Sequence, residues 1–230
     1  MKRINIVLLA ASIFTLTACQ SNAQNWKDIS HDDAVVILQA VLNKTEEKIT
    51  NLTKYHTTSS TTDSSGEKLD SVADYDEEKL YLYEYTNKDG DYSKTRTYYE
   101  DNSMYFAFES KAGGTTSKYY TIEECSSEQA KNLIQTSGKT GLFLAIGLVY
   151  SGIAAIIQTN QGSSSLVTKS DNEANLYVKY SDGEDAFETT IKDYFIYEIS
   201  DTRNGGTSNM KFEYGKSEVS KPNLSDFEKK

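Results

Sequence analysis

Lys79-Leu80-Tyr81-Leu82-Tyr83-Glu84-Tyr85-Thr86 alternates regularly enough to decide the fold of this chain. Leu80, Leu82 and Glu84 face one way and Tyr81, Tyr83 and Tyr85 the other, the period of two that an extended strand imposes. Asn87-Lys88-Asp89-Gly90 follows as a turn. Outward from this stretch, similar segments recur at Tyr55–Thr62, Lys68–Asp74, Tyr92–Tyr99, Ser103–Ser110 and Thr116–Ile122, with turns marked by Gly66, Asn102 and Gly113-Gly114. Strands of about seven or eight residues joined by turns of about three to five make a long antiparallel meander.

The period changes on either side. Before the meander, Ala34, Ile37, Leu38, Val41, Leu42, Ile49 and Leu52 recur at mostly three- and four-residue spacing, which predicts a helix over 31–52. Ser30 suits its N-cap, Asp32 and Asp33 its positive end, and Trp26 a packing staple just before it. After the meander, Ser126-Ser127-Glu128-Gln129 opens a short helix to about Thr136 with a capping signature. Ser137-Gly138-Lys139 then reads as a break, and Gly141–Ile157 as a second helix without a charge. Beyond a loop at Asn160–Ser165, strands resume at Leu166–Lys169, Asn175–Ser181, Ala186–Ile191, Tyr194–Asp201 and Ser208–Tyr214, with hairpin turns at Asp182-Gly183 and Asn204-Gly205-Gly206. The lone proline, Pro222, begins a tail. The predicted fold is α+β: a large curved antiparallel sheet, an open half-barrel of about ten or eleven strands, wrapped around the N-terminal helix and a central apolar helix block.

The N-terminus carries a different kind of information. Lys2 and Arg3 form a positive n-region, and Ile4–Thr17 is mostly apolar and uncharged. This is a secretory signal, too short at about fifteen residues for a comfortable spanning helix. It ends in Leu16-Thr17-Ala18-Cys19, which resembles the lipobox of bacterial lipoprotein precursors. The resemblance implies that the Cys19 thiol is alkylated with diacylglycerol and that cleavage falls between Ala18 and Cys19. The alternative is an ordinary signal peptide with a chance cysteine nearby. Two acyl chains turn marginal membrane binding into stable anchoring. The expected location is therefore the extracytoplasmic face of a bacterial cell membrane, with the chain lipid-anchored but not spanning. The corresponding organisation is residues 1–18 removed, 19–29 a lipidated N-terminus and linker, 30–227 a single domain and 228–230 a tail.

About 210 residues remain after cleavage, enough for one domain with a sizeable core. The chain has 24 basic and 34 acidic residues, and loss of Lys2 and Arg3 takes its net charge from −10 to about −12. That balance argues against nucleic acid as a partner and against electrostatic adhesion to anionic headgroups. With Cys19 modified, only Cys125 remains, so no internal disulfide is expected. A catalytic thiol needs a histidine partner. His31 and His56 both lie near the N-terminus, so Cys125 reads as a half-buried structural thiol. Two histidines without paired ligand spacing argue against zinc. With Gly90 at the sixth position of a calcium loop, the first position would be Tyr85 and the twelfth Arg96, which fails the EF-hand ligand requirement. No nucleophile elbow, phosphate loop or dinucleotide fingerprint is present. The expectation is a monomeric, non-enzymatic protein with no metal and no cofactor beyond the covalent diacylglycerol of Cys19.

Gly141–Ile157 admits three readings. As a spanning helix its seventeen residues rise only ~26 Å, against a hydrocarbon core of ~30 Å. The next basic residue, Lys169, follows a polar loop, where a stop-transfer segment calls for nearby Lys or Arg. As a helix buried within the sheet, it has a small face of Gly147, Ser151, Ala154, Ala155 and Gln158. Its bulky face is Leu142, Ile146, Val149, Ile153 and Ile157. In the third reading that bulky face lines a cavity for a lipid or other apolar ligand.

The succession of lipobox, amphipathic helix, Thr/Ser/Tyr-rich meander, embedded apolar helix and second meander is similar to the LolA/LppX-like lipoprotein-carrier fold. Met210-Lys211-Phe212-Glu213-Tyr214-Gly215, then Lys221-Pro222-Asn223-Leu224-Ser225-Asp226-Phe227, resembles the last strand and proline-led tail of such proteins. The resemblance covers the architecture of residues 26–227. It implies an open half-barrel covered by helices, in some members enclosing a cavity for acyl chains, with no catalytic signature. The expected function is an anchored, non-catalytic lipoprotein that binds or carries a hydrophobic ligand. The alternative is a protein- or glycan-interaction module built on Tyr81, Tyr83, Tyr85, Tyr98, Tyr99, Tyr105, Tyr119 and Tyr120. The plainer account of those tyrosines is the amphipathic face of a half-buried sheet.

Overall fold

The structure, a computed structural model, describes residues 27–28, 31–158, 164–169, 175–182 and 184–230. Residues 1–26, among them Ala18, Cys19 and Trp26, and Ser30 lie outside the described residues. A two-residue β1 (Lys27–Asp28) precedes α1 (His31–Thr50). Six strands follow: β2 (Lys54–Thr62), β3 (Lys68–Asp76), β4 (Tyr81–Lys88), β5 (Asp91–Glu100), β6 (Ser103–Ala112) and β7 (Thr115–Glu124). Helix α2 (Ser127–Gln158) leads to β8 (Ser164–Lys169), β9 (Leu176–Asp182), β10 (Asp185–Lys192), β11 (Phe195–Arg203) and β12 (Gly206–Tyr214). A 3₁₀ turn at Leu224–Asp226 precedes a two-residue β13 (Glu228–Lys229).

One sheet takes all these strands in the order β1-β8-β9-β10-β11-β12-β2-β3-β4-β5-β6-β7-β13. Pairing is antiparallel except for β13, which runs parallel to β7. Residues 228–229, read as tail, thus extend the sheet. The long strands form an open, curved α+β half-barrel carrying two helices. Register is fixed by tight turns. Asp89-Gly90, Asp101-Asn102, Gly113-Gly114, Asp193-Tyr194 and Asn204-Gly205 each have positive φ at both central residues, the requirement of a type I′ hairpin turn. Strand β4 begins at Tyr81 rather than Lys79. The Asp76 carboxylate accepts the Lys79 amide at 3.1 Å and holds 76–80 in a turn, with Leu80 at φ 49°.

The two helices expected over 126–157 are one continuous helix of 32 residues. Topology explains this. The chain leaves the sheet at β7 and re-enters at β8, ten strand spacings away in the sheet order. Across a curved sheet the direct distance is shorter than ten strand spacings, and 32 helical residues, rising ~48 Å at 1.5 Å each, are long enough to cross it. Gly138, which reads as a break, is instead a point of close approach. A Cβ there would lie 2.2 Å from Cδ2 of the Tyr75 ring. The Tyr55 hydroxyl donates to the Gly138 carbonyl at 2.6 Å. The start of α2 is a complete capping box. Ser126 Oγ accepts the Gln129 amide at 3.2 Å, and Gln129 Oε1 accepts the Ser126 amide at 2.8 Å.

Both helices pack on the same sheet face. Ile49 of α1 and Ala130, Ile134 and Leu142 of α2 share a core with Tyr55, Tyr75, Leu82 and Met104 of the first meander and Val178, Phe187, Ile191, Ile196, Ile199 and Phe212 of the second. Glu77, after β3, ties sheet to helix. Its carboxylate accepts from the Tyr75 hydroxyl at 2.9 Å and lies 3.2 Å from Lys131 Nζ. Burial pushes this carboxyl up, but hydrogen bonds from Tyr75, Lys131 and Gln135 outweigh it and hold the group below the usual carboxylate range. A lowered folded pKa stabilises the fold fully above the unfolded value of about 4.3 and is lost as pH falls through the folded value. In urea titrations stepped from pH 6 down to pH 3, Glu77→Gln is therefore expected to be less stable than the parent at pH 6. The gap should narrow towards pH 3, and a gap independent of pH would refute the linkage.

Candidate functional site

Of the five residues expected to line a cavity, Leu142 packs into the core at 2% exposure. Ile146, Val149, Ile153 and Ile157 have side chains outside the described residues. The next turn of α2 departs from the expectation of a helix covered on most sides. Phe143 is 40% and Leu144 68% exposed. At 142–144 the helix thus presents Leu142 to the core and leaves Phe143 and Leu144 exposed. Among the described residues no helix is long and apolar enough to cross a membrane, although most side chains of 145–158 are not among those described.

A second apolar feature lies where the C-terminal end of α1 meets the β10–β11 turn. A groove of about 580 Å³ is lined by Lys44, Glu47, Lys48, Asn51 and Leu52 from the helix end and by Tyr194 and Phe195 from the sheet. Leu52, Tyr194 and Phe195 form its apolar floor and pack against the core. Two ammonium groups sit over the aromatic rings. Lys44 Nζ donates to the Tyr194 hydroxyl at 3.1 Å and lies 4.7 Å from that ring's centre. Lys48 Nζ donates to the Asp193 carbonyl at 2.8 Å and lies 5.5 Å and 5.1 Å from the Tyr194 and Phe195 rings. The turn itself is anchored from below, because the Asp193 amide donates to the buried Asn175 Oδ1 at 2.9 Å. Sequence reasoning missed this groove. Its signal was available in Asp193-Tyr194, a tight hairpin turn with tyrosine where Gly or Asn is favoured.

The opposite face of the sheet carries the alternating tyrosines. Leu82 points to the helices, so Tyr81, Tyr83 and Tyr85 point away from them. Tyr99 and Tyr119 sit on the helix side, opposite Met104 and Phe108. Tyr81, Tyr98 and Tyr105 form a stacked ladder with ring centres 6.4 Å and 4.9 Å apart. The chain after β12 crosses this ladder as a strap. Ser217 Oγ donates to Asp76 at 2.8 Å, the Glu218 amide to Asp74 at 2.8 Å, and the Tyr81 hydroxyl to the Ser220 carbonyl at 2.8 Å. Lys221 pairs with Glu100 at 2.7 Å. Tyr81 and Tyr98 are left 3% and 2% exposed, and burial pushes each hydroxyl up to about 12. Tyr83 and Tyr85 stay half-buried beyond the strap, with the Arg96 guanidinium 5.0 Å over the Tyr83 ring and Lys94 Nζ 6.0 Å from that of Tyr85.

Among the described residues, Cys125 and His56 stand apart. Cys125, half-buried at the β7–α2 junction, packs against the core and donates its amide to the Asn102 carbonyl. His56 Nδ1 is bound to Asp74 at 2.9 Å on the outer face. Among the described residues no group of three His, Cys, Asp or Glu side chains is placed to hold a metal.

No family model and no curated protein matches this sequence. Among solved structures, the crystal structure of LprF from Mycobacterium bovis is similar over 80% of this chain and 95% of its own, at 12% identity and a TM-score of 0.35.

Proposed function

We propose that this chain is a non-catalytic lipoprotein, anchored through Cys19 at the extracytoplasmic face of the membrane, that binds a lipid or other hydrophobic ligand within its half-barrel. The observation that carries this reading is α2, a helix with a long apolar second half that packs on β3, β4 and β5 of an open, curved sheet. Its first apolar turn places Leu142 in the core but leaves Phe143 and Leu144 exposed. Apolar side chains are therefore left uncovered next to the core at this turn of α2. The lipobox supplies the membrane as the source of such a ligand.

The test is mass spectrometry of the full chain purified from membranes in mild non-ionic detergent. The expected N-terminal peptide begins at Cys19 and carries diacylglycerol, and denaturation releases a second, non-covalent lipid. An unmodified N-terminus overturns the anchor. Absence of bound lipid, together with no uptake of added palmitate or phosphatidylglycerol, overturns the carrier role. A second reading, a glycan- or protein-binding surface, is favoured by one observation: Tyr83 and Tyr85 face outward, half-exposed, beside Arg96 and Lys94.

A further inference from the structure

We propose that the groove between α1 and the β10–β11 turn is an anionic-headgroup site. It would take the carboxylate or phosphate of a single-chain amphiphile on Lys48, with the first methylenes of its chain against Leu52 and Phe195. This rests on the hydrophobic-ligand reading above and adds to it a place and a headgroup chemistry.

Three observations converge there. The first is the backbone. Asp89-Gly90, Asp101-Asn102, Gly113-Gly114 and Asn204-Gly205 meet the positive-φ requirement with residues that tolerate it, whereas Tyr194 stands at φ 66°. A large aromatic side chain in this region is strained and persists only where its surroundings over-determine it. Here they do so from both sides, through Asn175 Oδ1 on the Asp193 amide and Lys48 on the Asp193 carbonyl. The turn therefore holds a ring in place rather than merely reversing the chain.

The second observation is Lys48. It is exposed, and its Nζ spends one of three N–H donors on Asp193, leaving two. Among the described residues no carboxylate forms an ion pair with it. In a chain of net charge −10 with many Lys–carboxylate pairs, this ammonium is held over two aromatic rings at the rim of a groove. An anion arriving there gains a charge-assisted hydrogen bond without displacing an existing salt bridge. The third is the floor. Leu52 and Phe195 pack directly on the core, so apolar surface continues inward from the cation. Glu47 shares the lining and opposes an anion, but Lys44 and Lys48 both stand over the rings, so two cations and an apolar floor behind them are complementary to an amphiphile with one negative end.

The experiment titrates the full chain, in non-ionic detergent, with octanoate, octyl phosphate and octanol below their micellar concentrations, read by native mass spectrometry. Both anions are expected to bind about ten-fold more tightly than octanol. Their relative affinity distinguishes a fatty-acid carboxylate from a phosphate-bearing lipid as the natural source. Lys48→Gln should remove that advantage and leave octanol binding unchanged, and Lys48→Arg should restore it. If Lys48→Gln binds the anions as the parent does, the groove is not the headgroup site, while the hydrophobic-ligand reading stands. If the parent binds none of the three, the headgroup site falls, and if it also holds no lipid and takes up no palmitate or phosphatidylglycerol, the hydrophobic-ligand reading falls with it.

Discussion

Gly138→Ala is expected to destabilise the fold by about 3 kcal/mol, at the upper end of what overpacking a core costs. Helix propensity alone predicts the opposite sign, since Ala in a helix interior is favoured over Gly by about 1 kcal/mol. Tertiary packing decides. The new methyl carbon would stand 2.2, 2.7 and 2.9 Å from Cδ2, Cε2 and Cγ of Tyr75. That ring is fully buried, lies against Tyr55 at 5.4 Å between centres, and is tethered through its hydroxyl to Glu77. It has no room to turn aside, so helix and sheet must separate. Gly147, nine residues on in the same helix, has nothing within 4 Å of an added Cβ. Gly147→Ala should therefore stabilise by about 0.5–1 kcal/mol. Urea unfolding of the two variants beside the parent checks the contrast. Equal effects at both positions would mean that α2 does not lie on Tyr75 as described.

Deleting residues 216–230 should cost on the order of 3 kcal/mol, because the strap satisfies buried carboxylates as well as covering rings. Asp76 is fully buried and Asp74 1% exposed. Each loses a donor with the strap, Ser217 Oγ in one case and the Glu218 amide in the other. His56 remains on Asp74, and Lys79 remains near Asp76 at 3.5 Å, so the carboxylates are rehydrated beside their remaining partners rather than abandoned. The optical signature is separate from stability. Burial under the strap pushes the Tyr81 and Tyr98 hydroxyls up to about 12, and they should return towards the ordinary value of about 10 once wet. An ultraviolet titration that shows the same high-pH tyrosines in the truncated chain would show that something other than the strap buries them.

These two sites also show where the sequence stops being legible. Alternation in Tyr81–Tyr85 and the Asp, Asn and Gly residues of the turns specify strands, hairpins and register locally, and the half-barrel follows from them. Gly138 is ambiguous by nature, because glycine marks a helix end and a close contact with the same letter. Only Tyr75, brought from β3, tells them apart. The strap has no period at all, and its partners Asp74 and Asp76 lie some 140 residues earlier. For the site, an uncharged run such as Gly141–Ile157 has no polar residue in its first turns to mark which face stays uncovered, so Phe143 and Leu144 could not be told from Leu142. The groove at Tyr194 was marked only by an unsuitable residue in a turn.

The seam of the sheet lies between β12 and β2, where Tyr55 pairs with Tyr214 and Thr62 with Thr207. The second neighbour of β2 is thus made about 150 residues after β2 itself. As the chain emerges, the first long strand waits with one edge open while β3 to β11 are built. Such delayed, non-local pairing is slow and exposes the waiting strand to wrong partners. Six of the nine residues in Lys54-Tyr55-His56-Thr57-Thr58-Ser59-Ser60-Thr61-Thr62 are Ser or Thr. A strand of that composition can stay hydrated until β12 arrives, so its polarity protects assembly of the fold as much as the finished protein.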